Sequence, residues 1–78
     1  MEKEIEGYKA DTGDFKIAHG VLGYYITYKN ISIGCCWRYK EDAEWELKQL
    51  LEGKGRTDIR ISFDTVCRAL KEKGGKDD

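Results

Sequence analysis

The chain has no proline, one histidine and three cysteines among its 78 residues, and each shortage removes a class of protein. Without proline, internal repeats or a low-complexity block, nothing marks a linker or a repeat array. A single histidine, with no Cys or His pair at ligand spacing, offers no zinc pattern. Cys35 and Cys36 are adjacent, so on a strand they point to opposite faces and do not bond each other; Cys67 is the odd one left. That is not the framework of a disulfide-stapled secreted domain, and the thiols read as small apolar side chains. No apolar run approaches the roughly 20 residues of a membrane span, and no charged-then-apolar leader opens the sequence. The expectation is a soluble, cytoplasmic protein without membrane contact, metal or cofactor.

What is present fits one small domain. Hydrophobic residues make up 40% and charged residues 37%, too apolar a mixture for a disordered chain. A chain this short buries only about 60% of its unfolded surface, so the core is small. Net charge is −1, which gives no general attraction to nucleic acid. The charge is uneven, however. Residues 1–53 carry seven Lys and Arg against ten Asp and Glu, whereas residues 54–78 carry seven against five.

The organisation expected is a polar segment over residues 1–13, one α+β domain over 14–73 and a disordered tail over 74–78. Ile5, Tyr8 and Ala10 are candidates for an extra edge segment in the first part. The middle shows a period of two three times over: Phe15 and Ile17; Leu22, Tyr24, Ile26 and Tyr28; Ile31, Ile33, Cys35 and Trp37. Turns at His19-Gly20 and Lys29-Asn30 would pair Ile17 with Leu22 and Phe15 with Tyr24. They would then pair Tyr28 with Ile31, Ile26 with Ile33, Tyr24 with Cys35 and Leu22 with Trp37. In that register all ten apolar residues share one face of a three-stranded antiparallel meander. On the other face Thr27 would oppose Ser32, Tyr25 would cover Gly34, and Cys36 and Arg38 would complete the surface.

Two helices should follow, giving a βββαα order with both packed on one face. The first spans about 41–52, with Ala43, Leu47, Leu50 and Leu51 as its apolar stripe, acidic residues in its first turn and Gly53 or Gly55 at its end. The second has two possible starts. Ser62 as cap leaves Asp58 to Ile61 as a short strand or link and gives a stripe of Phe63, Val66, Cys67 and Leu70. Thr57 as cap brings Ile59 into that stripe; Ile61 fits only the first choice, which the pattern favours.

Several residues are left without a role in this core. Trp45 projects opposite the apolar stripe, among Glu41, Lys48, Gln49 and Glu52. Either it is an exposed binding anchor or the N-terminal segment folds over it through Ile5 or Tyr8. Arg38, near Tyr25 on the open sheet face, could hold an anion or a partner carboxylate, though such a residue more often snorkels over its neighbours. His19 reads as a turn residue, since nothing brings a cysteine to it as a catalytic pair requires. No catalytic residues are assigned.

Two local resemblances concern DNA. The run Ser62-Phe63-Asp64-Thr65-Val66-Cys67-Arg68-Ala69-Leu70 resembles the recognition helix of helix-turn-helix proteins, although the preceding helix should end about ten residues earlier. Three strands followed by Trp37-Arg38-Tyr39-Lys40-Glu41-Asp42-Ala43-Glu44 are similar in outline to the arm-type DNA-binding domains of phage integrases. Those bind DNA through a basic sheet face, where this chain offers mainly Lys29 and Arg38.

The function expected is a small non-enzymatic protein-binding module. Its partner would be a larger protein or complex. Size and composition associate such chains with phage or mobile-element inhibitors, anti-CRISPR proteins among them, acting by occlusion. Its candidate contacts are Trp45, Glu41, Lys48, Glu52, Arg38 and Tyr25, and a homodimer could itself bury Trp45. The alternative is a DNA-binding module using Arg56, Arg60, Arg68 and Lys71 in the basic C-terminal region.

Overall fold

The computed structural model describes residues 1–75. The first thirteen residues are more ordered than their polarity suggests. Glu2–Ile5 (β1) and Tyr8–Asp11 (β2) pair antiparallel around a Glu6-Gly7 turn whose φ values are 52° and 84°. Positive φ at both central residues matches the twist of a tight hairpin. One face of this ribbon carries Ile5 and Ala10 into the core, with Tyr8 half-buried beside them. The N-terminal amine lies 3.1 Å from the Asp11 carboxylate, which also accepts the Gly13 N–H at 2.9 Å. The Gly13 N–H first, and the amine second, hold the Asp11 carboxyl below the usual range.

A short 3-10 turn at Thr12–Asp14 leads into the expected three-stranded antiparallel sheet: Phe15–Gly20 (β3), Gly23–Tyr28 (β4) and Ile31–Trp37 (β5), with β4 in the middle. The second turn falls at Lys29-Asn30, with φ 51° and 68°. It pairs Tyr28 with Ile31, Thr27 with Ser32 and Ile26 with Ile33.

The first turn falls at Val21-Leu22, not at His19-Gly20. Phe15 therefore faces Tyr28 and Ile17 faces Ile26, in place of the Phe15–Tyr24 and Ile17–Leu22 pairs that alternation suggested. His19 belongs to β3 and stacks on Tyr24, with ring centroids 4.3 Å apart. The flanking glycines explain the position. A Cβ on Gly20 would sit 2.9 Å from Tyr25 Cε1, and one on Gly23 would sit 2.5 Å from the Trp37 carbonyl oxygen. A side chain at Gly23 would run into backbone, and one at Gly20 would have to displace the Tyr25 ring. The partner of Phe15 moves by four residues, an even number, so β3 and β4 still turn the same side chains inward. Leu22 alone is lost to the tip.

A second correction lies on β5. Trp37 faces Tyr24, and neither the Tyr24–Cys35 nor the Leu22–Trp37 pair forms. Between Ile33 and Trp37 the strand carries three residues where β4 carries only Tyr25, and Gly34 makes this excursion at φ 74°. Such a bulge again adds an even number of residues, so Trp37 returns to the core while Cys35 is left exposed. Tyr25 covers Gly20 on the neighbouring strand instead of Gly34.

Lys40–Leu51 (α1) and Thr57–Gly75 (α2) complete the chain. Gly53, at φ 79°, follows the end of α1 in the left-handed conformation that closes a helix. The second helix starts at Thr57: residues 58–61 are helical, not a strand, and Ile59 is fully buried while Ile61 is exposed. Ser62 is not a cap. Its hydroxyl oxygen accepts the Gly34 N–H at 2.9 Å, tying the middle of α2 to the bulge. The helix also runs through Gly74 and Gly75, where the tail was expected to begin; the rest of that tail lies outside the described residues.

Phe63 is the centre of the core. Its ring centroid lies 5.2 Å from that of Tyr28, 5.7 Å from that of Phe15 and 6.3 Å from that of Tyr8, so it joins the hairpin to the sheet. Ala43, Leu50, Ile59 and Phe63 join Ile26, Ile33 and Trp37 in one buried core. Among the described residues no helix is long and apolar enough to cross a membrane.

Candidate functional site

The first helix places Trp45 where the periodicity puts it. Ala43 and Leu50 are buried, and Trp45 lies about 200° around from Ala43, on the outer face. Its residue is 59% exposed. Glu41, Lys48 and Glu52 are exposed on the same side, as expected of the solvent face. The N-terminal segment does not cover it: Ile5 and Ala10 are engaged in the core and Tyr8 lies against Phe63.

The apolar stripe of α1 did not include Glu46. It lies on the buried side of α1, 9% exposed, and its Oε2 has no partner among the described residues. Leu47 and Leu51, assigned to the stripe, are only half-buried.

β5 ends at Trp37, so Arg38 lies just beyond the strand, its Cα 3.8 Å from the Cβ position of Gly23. Tyr25 lines a shallow groove of about 320 Å³ formed with the Val21-Leu22 tip and Cys36. Val21 and Leu22 are 103% and 84% exposed, an apolar pair offered to solvent at the end of a hairpin. Tyr39, at the same end of β5, is also exposed. Reading Leu22 as a core strand residue hid this patch; the signal was the pair of glycines at 20 and 23.

The arginines of the basic C-terminal region each meet a carboxylate. Arg56 lies 2.9 Å from Asp58, Arg60 3.7 Å from Glu6 and Arg68 2.7 Å from Asp64. Asp64 also raises the Tyr8 phenol above its usual value, Arg68 acting in the opposite sense. The Ser62–Leu70 run turns Phe63, Val66 and Cys67 inward, and only five residues separate the two helices. Each charge is partly balanced by its neighbouring carboxylate, although Arg56 and Arg68 remain more than half exposed. Lys71 stands apart from them and lines a second groove, with Lys9 and Lys29.

Cys35 and Cys36 are exposed and Cys67 is buried. Burial first, and then Asp64, push the Cys67 thiol up, while Lys29 pulls it down. Among the described residues no three His, Cys, Asp or Glu side chains gather as metal ligands. Comparison with known protein families, with curated proteins and with solved structures finds no match for this chain.

Proposed function

We propose that this chain is a non-enzymatic protein-binding module that docks on a larger protein or complex through α1. The observation that carries the reading is the exposure of Trp45 on a charged helix face that the core does not use. Burying an indole ring removes a large apolar area from water, and Trp is enriched among the residues that dominate interface energy. Glu41, Lys48 and Glu52 supply a mixed-charge rim, which favours orientation over raw affinity. The Val21-Leu22 tip is a second apolar contact of the same kind. Occlusion of a partner's surface is the mode open to a small rigid domain. The finer reading, a cytoplasmic phage or mobile-element inhibitor of the anti-CRISPR kind, rests on size and composition.

The test uses tagged wild-type, Trp45→Ala and Ile61→Ala chains to capture partners from a lysate, with identification by mass spectrometry. Both substituted side chains are exposed, so stability should change by no more than about 0.5 kcal/mol. A partner kept by wild type and Ile61→Ala but lost from Trp45→Ala is the expected result. Equal retention by all three chains refutes the Trp45 anchor.

A further inference from the structure

Three elements bring a lysine to the rim of one groove. Lys9 comes from β2, Lys29 from the β4–β5 turn and Lys71 from α2, around a depression of about 280 Å³. Tyr8, Tyr28, Cys67 and Leu70 complete its lining. Tyr28 and Cys67 are buried and Tyr8 and Leu70 half-buried, so the interior is mainly apolar while the charge stays at the edge. Positive φ at Lys29 turns the chain tightly there, and its Nζ sits 5.6 Å from the centre of the Tyr28 ring, over the groove. None of the three ammonium groups forms an ion pair among the described residues. Of the carboxylates nearest the floor, Asp11 is engaged by the N-terminal amine and Asp64 by Arg68, while Asp14 remains.

We propose that this groove binds an acidic peptide segment of a partner protein, one apolar side chain entering between Tyr8 and Leu70 while flanking carboxylates meet Lys9, Lys29 and Lys71. Charge complementarity selects the occupant: converging cations around an apolar floor suit a segment carrying both features. A volume of about 280 Å³ accepts one large side chain rather than a helix or an extended cofactor. Nucleic acid fits less well, because the Tyr28 ring is buried and the half-buried Tyr8 ring is already engaged with Phe63. The site is separate from Trp45 and does not rest on that reading.

Fluorescence anisotropy tests it with a labelled peptide holding one Phe between two pairs of Asp, a second peptide with Ala for Phe, and a labelled oligothymidine. The wild-type chain should bind the Phe peptide saturably, and the Ala peptide roughly tenfold more weakly. Lys9→Glu combined with Lys71→Glu, both at exposed positions, should weaken the Phe peptide by roughly tenfold or more, about 0.7 kcal/mol per reversed charge. A Trp45→Ala chain should bind it like wild type. Backbone amide shifts should concentrate at residues 8–9, 28–29 and 67–71. Equal binding of both peptides, indifference to the double reversal, shifts centred elsewhere, or tighter binding of the oligonucleotide would each overturn the proposal.

Discussion

Gly34→Ala tests how closely α2 sits on the β5 bulge. Two costs add at this position. The backbone is left-handed at φ 74°, which an alanine adopts at about 1 kcal/mol. The new methyl would also lie 3.2 Å from Ile59 Cγ1 and 3.8 Å from the Trp37 ring. Ile59 is fully buried and has no free direction in which to yield, so overpacking adds about 1–3 kcal/mol. The total is about 2–4 kcal/mol. Gly53 is the control: its φ is 79° and nothing lies within 4 Å of its Cβ position. Gly53→Ala therefore carries the backbone cost alone, about 1 kcal/mol. For 78 residues the whole stability is about 4–12 kcal/mol, so the two variants should separate clearly. Urea unfolding followed by tryptophan fluorescence measures both, and at about 1 kcal/mol per molar urea each kcal/mol moves the midpoint by about 1 M. Equal midpoints for the two variants would refute the close helix–bulge contact.

Other expectations follow from single contacts. Ser62→Ala removes the acceptor of the Gly34 N–H and should cost about 1 kcal/mol, with faster exchange of the Gly34 amide as the specific readout. Glu46→Leu replaces an inward carboxylate whose Oε2 lacks a partner; it should stabilise the fold by about 1 kcal/mol in the same urea assay. Alkylation followed by mass spectrometry should modify Cys35 and Cys36 in the native state and Cys67 only on unfolding. The native Cys67 thiol holds its proton above the usual range, chiefly through burial. Its contribution is therefore complete below the ordinary thiol value of about 8.5 and is lost as pH rises through the native value. Alkaline titration of the unfolding midpoint checks the direction.

The strand pattern was legible because inward and outward alternation survives an even slip. Both errors in pairing, the Val21-Leu22 turn and the Gly34 bulge, displace partners by an even number of residues, so Phe15, Ile26, Tyr28, Ile33 and Trp37 were still assigned to the correct face. Turn position was not legible, because apolar Val21 and Leu22 carry no turn chemistry of their own. Tertiary contacts decide it, with Tyr25 over Gly20 and Trp37 against Gly23. The start of α2 was misjudged for a similar reason. Ser62 has the composition of a cap, but its hydroxyl serves a strand 28 residues away in sequence. Helical period placed Trp45 opposite the stripe but left open whether the N-terminal segment covers it, which the β1–β2 hairpin decides by packing elsewhere; the lysine-rimmed groove is assembled from β2, a turn and α2, and no local window contains it.

The bulge also governs how copies of this chain can meet. β5 is an edge of the sheet, and an open edge is a template for another strand. An incoming strand that starts in register at Ile31 reaches the excursion at Gly34 and loses its partners before Trp37. Continuous strand-to-strand growth is interrupted there, so the same kink that seats Ile59 also limits fibrous association along that side.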